Sequence, residues 1–439
     1  MPTVLFIAYH FPPIGYSGTQ RSVKFVRYLP NLGWTPVVLT GPGGGPGGLP
    51  SDNTLAAELP TDLRVIRASG SEPLASEGFR SRAERWLGLQ TPWARWWESS
   101  AFAAGRNAAG DADVLIASMS PFESARVAAR LARAEGRPWV ADLRDPWALD
   151  EMFVYPTILH RRLAERRMRR DLATAAAIVM NTPEAARILV EAFPEFRDRP
   201  VVAIPNGYDE SDFTGRAAER ADSAFRIVHA GSLHTEAGRR ERRRQRIRRA
   251  LGGAIGDVDY LPRSHVYLLE AVRLLRRDRP EIAAQIEVHL AGVLSAADRA
   301  ETDPAVRIHG YLPHLASVAL LQSADMLFLP MHGVREGFRA RIVPGKTYEY
   351  LPARKPILAA VPSGDAKDIV TAAGLGIVCA PSDARAIARA IVQGFELKEA
   401  RRPTEANDEV IARYERRRLT AELAELLEHV TREHGSAKS

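Results

Sequence analysis

The sequence predicts an α/β protein of two successive doubly wound domains, and three observations carry that prediction. Short, unbroken apolar runs recur along the 439 residues, the pattern of parallel strands buried on both faces. Segments with helical spacing separate them, and the alternation stops at a strong turn, Pro205-Asn206-Gly207-Tyr208-Asp209, before starting again. The chain is also too long for one ordinary core. The expected divisions are 1–205, 206–406 with an insertion at 235–264, and a closing helical segment at 407–439.

In the first half, Val4-Leu5-Phe6-Ile7-Ala8 is a buried strand, and the loop from His10 through Pro12, Pro13, Gly15 and Gly18 leads to a helix carrying Val23, Val26 and Leu29. Pro36 to Thr40 is the second strand, so the chain opens on a βαβ unit with a glycine-bearing loop at the carboxyl end of its first strand. It lacks G-x-G-x-x-G. Gly41 to Gly48 reads as a loop. Trp86, Trp93, Trp96 and Trp97, mixed with Arg82, Arg85 and Arg95, have two readings: a helix packed on the sheet by its tryptophans, or an aromatic–basic face that meets a lipid surface. Further strands fall at Val114–Ala117, Trp139–Ala141, Ala176–Asn181 and Val201–Ile204, with helices beginning at Ser124 and Pro183. Asp142, Arg144 and Asp145 crowd the end of one buried strand, where charge is costly unless paired or used, so Arg144 either locks the structure by pairing with Asp142 or Asp145 or serves a site.

The second half predicts strands at Phe225–Val228, Ile286–Leu290, Val306–Ile308, Met326–Leu329, Pro356–Ala360 and Gly376–Cys379. Helices are expected at Val266–Leu275, Leu315–Ser323, Lys367–Ala373 and Asp383–Phe395, and two such arrays are expected to face each other across a cleft. His229-Ala230-Gly231-Ser232-Leu233 repeats, after this half's first strand, the glycine-bearing loop of the first half. The stretch Ile342-Val343-Pro344-Gly345-Lys346-Thr347-Tyr348-Glu349-Tyr350-Leu351 has a turn, then a short helix, then the apolar run Ile357–Val361. A helix start offers unpaired N–H groups to phosphate, Lys346 adds a cation, and Glu349 one turn on can accept hydroxyl hydrogen bonds. The same residues also fit an ordinary helix with a solvated Lys and Glu.

Composition bounds the chemistry. Hydrophobic content of 46% and charged content of 26% are those of a soluble globular protein, and no apolar stretch reaches membrane-span length. A single cysteine, Cys379, excludes an internal disulfide framework and fits a reducing, cytoplasmic setting. Arg239 to Arg249 carries eight arginines and one glutamate, a surplus equal to the whole chain's net +7, and Arg161 to Arg170 is locally basic. These are patches rather than a general polyanion-binding surface, and the first lacks the interleaved aromatics of base stacking, so no nucleic-acid partner is expected.

With the stretches His10-Phe11-Pro12-Pro13, Asp142–Trp147, Ile204–Asp209 and Pro344–Leu351 in place, nearly the whole chain resembles a glycosyltransferase of the GT-B fold. It is similar to the large family-four group of retaining, nucleotide-sugar-dependent enzymes, and to members that build bacterial surface polysaccharides. The resemblance implies that Gly15 and Gly18 let a loop approach the donor diphosphate and that Glu349 holds the donor ribose. Gly345, Lys346 and Thr347 would meet the phosphates, flanked by Gly231 and Ser232, and Tyr311 and Leu312 would lie against the base.

Three positions depart from the pattern. Arg341 stands where the family's first paired glutamate is expected, although Glu336 lies nearby. Ser232 replaces an arginine after Gly231. Arg144 replaces a histidine; it cannot act as a base but can stabilise a departing phosphate or orient an acceptor. Arg144 and Lys346 are therefore the catalytic candidates, with Arg341 added to the donor site.

The implied partners are a nucleotide sugar, a glycan or lipid-linked acceptor and an anionic inner-leaflet surface. No cofactor and no metal are expected: the histidines lack ligand spacing, and Asp111-Ala112-Asp113 precedes a buried strand at the end away from ligands. A sugar-nucleotide epimerase and a non-catalytic glycan- or nucleotide-binding protein are the alternatives.

Overall fold

The computed structural model describes residues 1–15, 17–43, 53–73, 90–215, 222–255 and 258–436. The chain forms two compact units. The first comprises Met1–Asp150, Tyr155–Asn206 and the C-terminal segment from Arg416; the second comprises Gly207–Glu415 and a four-residue excursion, Glu151–Val154. The break falls at the predicted turn. The closing segment divides: Asp408–Ala412 is a short helix of the second unit, and the long final helix belongs to the first.

The first unit holds a seven-stranded parallel sheet in the order β3-β2-β1-β4-β5-β6-β7. Its strands are β1 (Thr3–Ala8), β2 (Thr35–Thr40), β3 (Arg64–Arg67), β4 (Val114–Met119), β5 (Trp139–Leu143), β6 (Ala177–Met180) and β7 (Val201–Ala203). Six match predicted runs. Strand β3 was not expected, because arginines bracket its two apolar residues. Among the described residues it is an edge strand paired only with β2, where half-exposed side chains suffice.

Side chains alternate across β1, with Leu5 and Ile7 on one face and Val4, Phe6 and Ala8 on the other. The first face is covered by α2 (Pro92–Asp111) and α3 (Ser124–Glu135); the second by α1 (Ser17–Tyr28) and α12 (Arg416–Ser436), which contributes Leu419, Leu423, Leu427 and Val430. The first face also carries α4 (Ile158–Leu172), through Met168 and Leu172, and α5 (Pro183–Ala192), through Ala185 and Leu189.

The tryptophan helix is α2. Trp97 is fully buried and Trp93 and Trp96 pack against the same core, so the sheet-packing reading holds for these three. Trp86, Arg82, Arg85 and the glycine run from 44 to 48 lie outside the described residues. Asp113 accepts a hydrogen bond from the Thr3 amide at 2.7 Å, a tie between two strand starts.

The second unit holds a six-stranded parallel sheet in the order β10-β9-β8-β11-β12-β13. Its strands are β8 (Phe225–Ala230), β9 (Ile286–Ala291), β10 (Val306–Gly310), β11 (Met326–Pro330), β12 (Ile357–Ala360) and β13 (Gly376–Cys379), each near its predicted position. The helices α6 (Thr235–Ala250), α7 (Val266–Asp278), α8 (His314–Gln322), α9 (Gly345–Tyr350), α10 (Asp365–Ala372) and α11 (Ala384–Glu399) surround it. The basic insertion is thus largely helix α6. In both sheets the first strand of the array is central and the order reverses beside it, as in Rossmann-like domains.

Asp142 corrects one expectation. Its carboxylate pairs with Arg21 of α1 at 2.8 Å, both side chains being buried, and Arg21 also donates to the carbonyls of Ile204 at 2.8 Å and Pro205 at 3.0 Å. Arg21 wins because its fork reaches the carboxylate and two orphan strand-end carbonyls together, whereas Arg144 turns to other carbonyls. Removing one partner of such a pair strands the other charge in the core. Asp142→Ala is expected to cost about 3–5 kcal/mol of unfolding free energy, read from urea denaturation against the exposed control Glu191→Ala.

Candidate functional site

The candidate residues form two groups, one in each unit, and both lie where strand order reverses. In sheets of this order ligands bind outside the carboxyl ends of the strands at that point. In the first unit the reversal lies between β1 and β4. Arg144, just past β5, donates from Nε to the Met119 carbonyl at 2.7 Å and from Nη2 to the Ser120 carbonyl at 3.0 Å, at the end of β4. Its guanidinium lies over Gly18 of α1: a Cβ there would stand 1.2 Å from Arg144 Nη1. Gly18 therefore makes room for a cation. Gly15 is half-buried just upstream, and burial together with the Arg144 charge pushes the His10 imidazole down to about 4. His10 is neutral at physiological pH.

In the second unit the reversal lies between β8 and β11. His229, near the end of β8, places Nδ1 3.0 Å from the Phe328 carbonyl of β11. A carbonyl only accepts, so Nδ1 carries the proton and Nε2 presents its lone pair. Lys346 Nζ lies 3.4 Å from that Nε2. Gly231, with φ of 132°, lies under the same ammonium, so that an added Cβ would stand 2.5 Å from Nζ. The Gly231 amide donates to the Ala291 carbonyl at 2.8 Å and the Gly292 amide to the Gly310 carbonyl at 2.7 Å, which lashes together the loops that follow β8, β9 and β10.

The electrostatics favour an anion. Burial and the Arg263 charge push the Lys346 ammonium down to about 7, while Glu349 pulls it the other way. Burial, Arg263 and Lys346 push His234 down to about 4, and burial and Lys346 hold His229 well below the usual histidine range. Like charges are thus crowded together and the imidazoles beside them stay neutral, a field that an incoming anion relieves. Thr347 is fully buried, and its hydroxyl has no hydrogen-bond partner among the described residues.

The remaining candidates are less closely gathered. Gly345 and Ser232 are exposed, Tyr311 is 71% exposed after β10, and Leu312 packs partly into the core. Arg341 is buried with its guanidinium 4.9 Å from the Phe338 ring. Glu336 is exposed, and the carboxylate that meets the Arg341 backbone is Glu151, at 2.8 Å. Sequence reasoning did not single out His229 or Glu151, which the structure places beside Lys346 and the Arg341 backbone. His229 carried a signal, a titratable group closing an otherwise apolar buried run. Glu151 carried none.

Two successive Rossmann-like domains are the architecture of the GT-B fold, and each here carries a glycine and a cation at its strand reversal. The Glycosyl transferase 4-like domain model matches residues 18–207, and the Glycosyl transferases group 1 model matches residues 251–396. No curated protein sequence matches. Among solved structures the chain is similar to Anabaena HepE in complex with UDP (14% identity, 98% of this chain and 100% of that one, TM-score 0.62). It is similar to a glycosyltransferase from Rickettsia africae (14%, 98% of each chain, 0.58) and to the lipopolysaccharide outer core galactosyltransferase WaaB (11%, 97% and 99%, 0.54). The chain belongs to the GT-B-fold glycosyltransferases.

At Gly231, both the backbone and the overlying ammonium resist a side chain. Gly231→Ala is expected to destabilise by about 1–3 kcal/mol and to displace Lys346. Gly310→Ala, at φ 70° with open space around it, is expected to cost only about 1 kcal/mol. Paired urea titrations check the difference.

Proposed function

We propose that the protein transfers a sugar from a nucleotide-diphosphate donor to a glycan or lipid-linked acceptor, with retention of configuration, in building a cell-surface polysaccharide. The observation that carries this reading is the Lys346–Gly231–His229 arrangement: a desolvated ammonium over a glycine loop, beside a histidine that cannot compete for the anion. The HepE structure solved with UDP supports the donor class. Lys346 takes up charge as the diphosphate departs, Glu349 accepts from the ribose hydroxyls, and Gly345, Thr347 and Ser232 complete the phosphate contacts. Tyr311 and Leu312 receive the base. Arg144, always charged, is assigned to anion contact or acceptor orientation rather than to proton transfer. With cations meeting the leaving group, transfer needs no divalent metal, and turnover is expected to survive a chelator.

The pH dependence follows from Lys346. Below about pH 7 the free protein already carries the ammonium; above it, binding a diphosphate must take up a proton. Affinity for UDP is therefore expected to fall by up to about tenfold per pH unit above 7. Lys346→Ala should weaken binding on the order of ten- to a hundredfold near pH 6.5 and abolish that slope. Glu349→Ala should weaken both UDP and the nucleotide sugar. Calorimetry in buffers of different ionisation enthalpy reads the proton uptake, and wild-type affinity in both variants would refute the assignment.

A cytoplasmic, membrane-peripheral setting is part of the proposal. Among the described residues no helix is long and apolar enough to cross a membrane. Of the two basic stretches, α4 is the better fit to an anionic surface. Leu159 and Leu163, 70% and 41% exposed, lie on one helical stripe with Arg166 and Arg170. Arginines of both stretches take part in ion pairs, Arg239 with Glu301 and Arg242 with Asp259 in α6, Arg169 with Glu195 and Arg170 with Asp171 in α4. What sets α4 apart is its exposed leucines. Co-sedimentation with anionic vesicles is expected to fall in the double variant Leu159→Ser/Leu163→Ser and with rising salt, and to be absent with neutral vesicles. Equal binding to both vesicle types would sink the idea.

A further inference from the structure

We infer that Glu151 is a positioning residue for the Lys346 site, an inference that rests on the donor-site reading above. Glu151 belongs to the short excursion Glu151–Val154 that packs within the second unit, and it is 1% exposed. Its Oε1 accepts from the Arg341 amide at 2.8 Å and from the Ile342 amide at 3.3 Å. His332 Nε2 stands 3.3 Å from the same oxygen, and His332 is fully buried.

The chain between those two amides and Lys346 is short and pinned throughout. Ala340 bridges to Gly364, and its amide donates to the Ser363 carbonyl at 2.8 Å. Arg341 and Ile342 are then held by Glu151, Val343 is buried, and the Thr347 amide donates to the Pro344 carbonyl at 2.9 Å as α9 begins. Glu151 is thus the fastening between the end of the sheet and the turn that aims Lys346. Two adjacent amides converging on one carboxylate oxygen make charge-assisted bonds, stronger than those to a neutral acceptor.

The carboxylate is kept at a cost. Oε2 is buried without a hydrogen-bond partner among the described residues, and so is His332 Nδ1. Packing alone would favour an apolar residue here, because a buried, half-satisfied charge lowers stability. What the charge gives in return is a fixed register for the 341–344 segment. Losing it would leave two amides without an acceptor and let that segment shift, and Lys346, four residues beyond Ile342, would shift with it.

The test uses the full chain with UDP and with inorganic pyrophosphate as probes. Glu151→Ala is expected to weaken both about tenfold or more, the loss of one strong hydrogen-bonded contact in the site's support. Glu151→Gln retains an acceptor oxygen and should recover most of that loss. Hydrogen exchange is read alongside: peptides spanning 340–344 should lose protection in Glu151→Ala while β11 and β12 keep theirs. If Glu151→Ala lowers protection everywhere, Glu151→Gln decides the matter. A role confined to global stability would leave its folded form binding both probes at wild-type affinity, and a positioning role would leave a residual deficit. Wild-type affinity in folded Glu151→Ala, or unchanged exchange at 340–344, overturns the inference. Failure of the wild-type protein to bind either probe instead overturns the donor-site reading, and this inference with it.

Discussion

In each domain the organisation of the site depends on one spatial constraint: a cationic side chain lies flat against backbone where a glycine leaves the space. Arg144 occupies the volume a side chain at Gly18 would fill, and Lys346 does the same at Gly231. The parallel follows from the fold. In a sheet of this order the loop after the first strand and the loops after its neighbours across the reversal converge at one edge. The peptide there is crowded, so a long side chain can lie alongside only where a Cβ is missing. The two cations are held differently. Arg144 is tied to two carbonyls and stays charged, whereas Lys346 has a neutral imidazole for company and sits near its own titration point. One is a fixed charge and the other a responsive one.

Much of the fold was legible in the sequence because parallel strands buried on both faces leave an unmistakable trace, unbroken apolar runs between helical segments. Strand β3 escaped because an edge strand needs only one partner, and Val65 and Ile66 between two arginines are too short a run to notice. The division between the units was legible as a turn. The destination of the last helix was not, because apolar spacing says that a helix has a buried face and nothing about which sheet buries it.

The site divided along the same line. Gly18, Gly231 and Lys346 stood out as candidates because glycine loops and the Pro344–Leu351 stretch are local patterns. Partnerships across the chain could not. Asp142 meets Arg21 from 121 positions away, and Glu151 meets Arg341 from 190. For Asp142 the sequence offered a nearer candidate, Arg144, and proximity along the chain proved a poor guide to proximity in space. Charge runs were similarly ambiguous: intramolecular pairs absorb part of the charge of both α6 and α4, and α4 differs in the exposed Leu159 and Leu163 beside its arginines.

The placement of α12 has a consequence for biogenesis. One face of the first sheet is closed by α1 and by Leu419, Leu423, Leu427 and Val430 of α12, so the N-terminal domain contains residues made after the whole second sheet. During vectorial synthesis the first domain emerges early but with Val4, Phe6 and their neighbours still without part of their cover. It cannot become fully native until residues 416–436 leave the ribosome and dock. The nascent chain must therefore carry an incomplete domain while the second one folds, a period in which the exposed apolar sheet face is open to chaperones. Truncation near the C-terminus would injure the domain that was translated first.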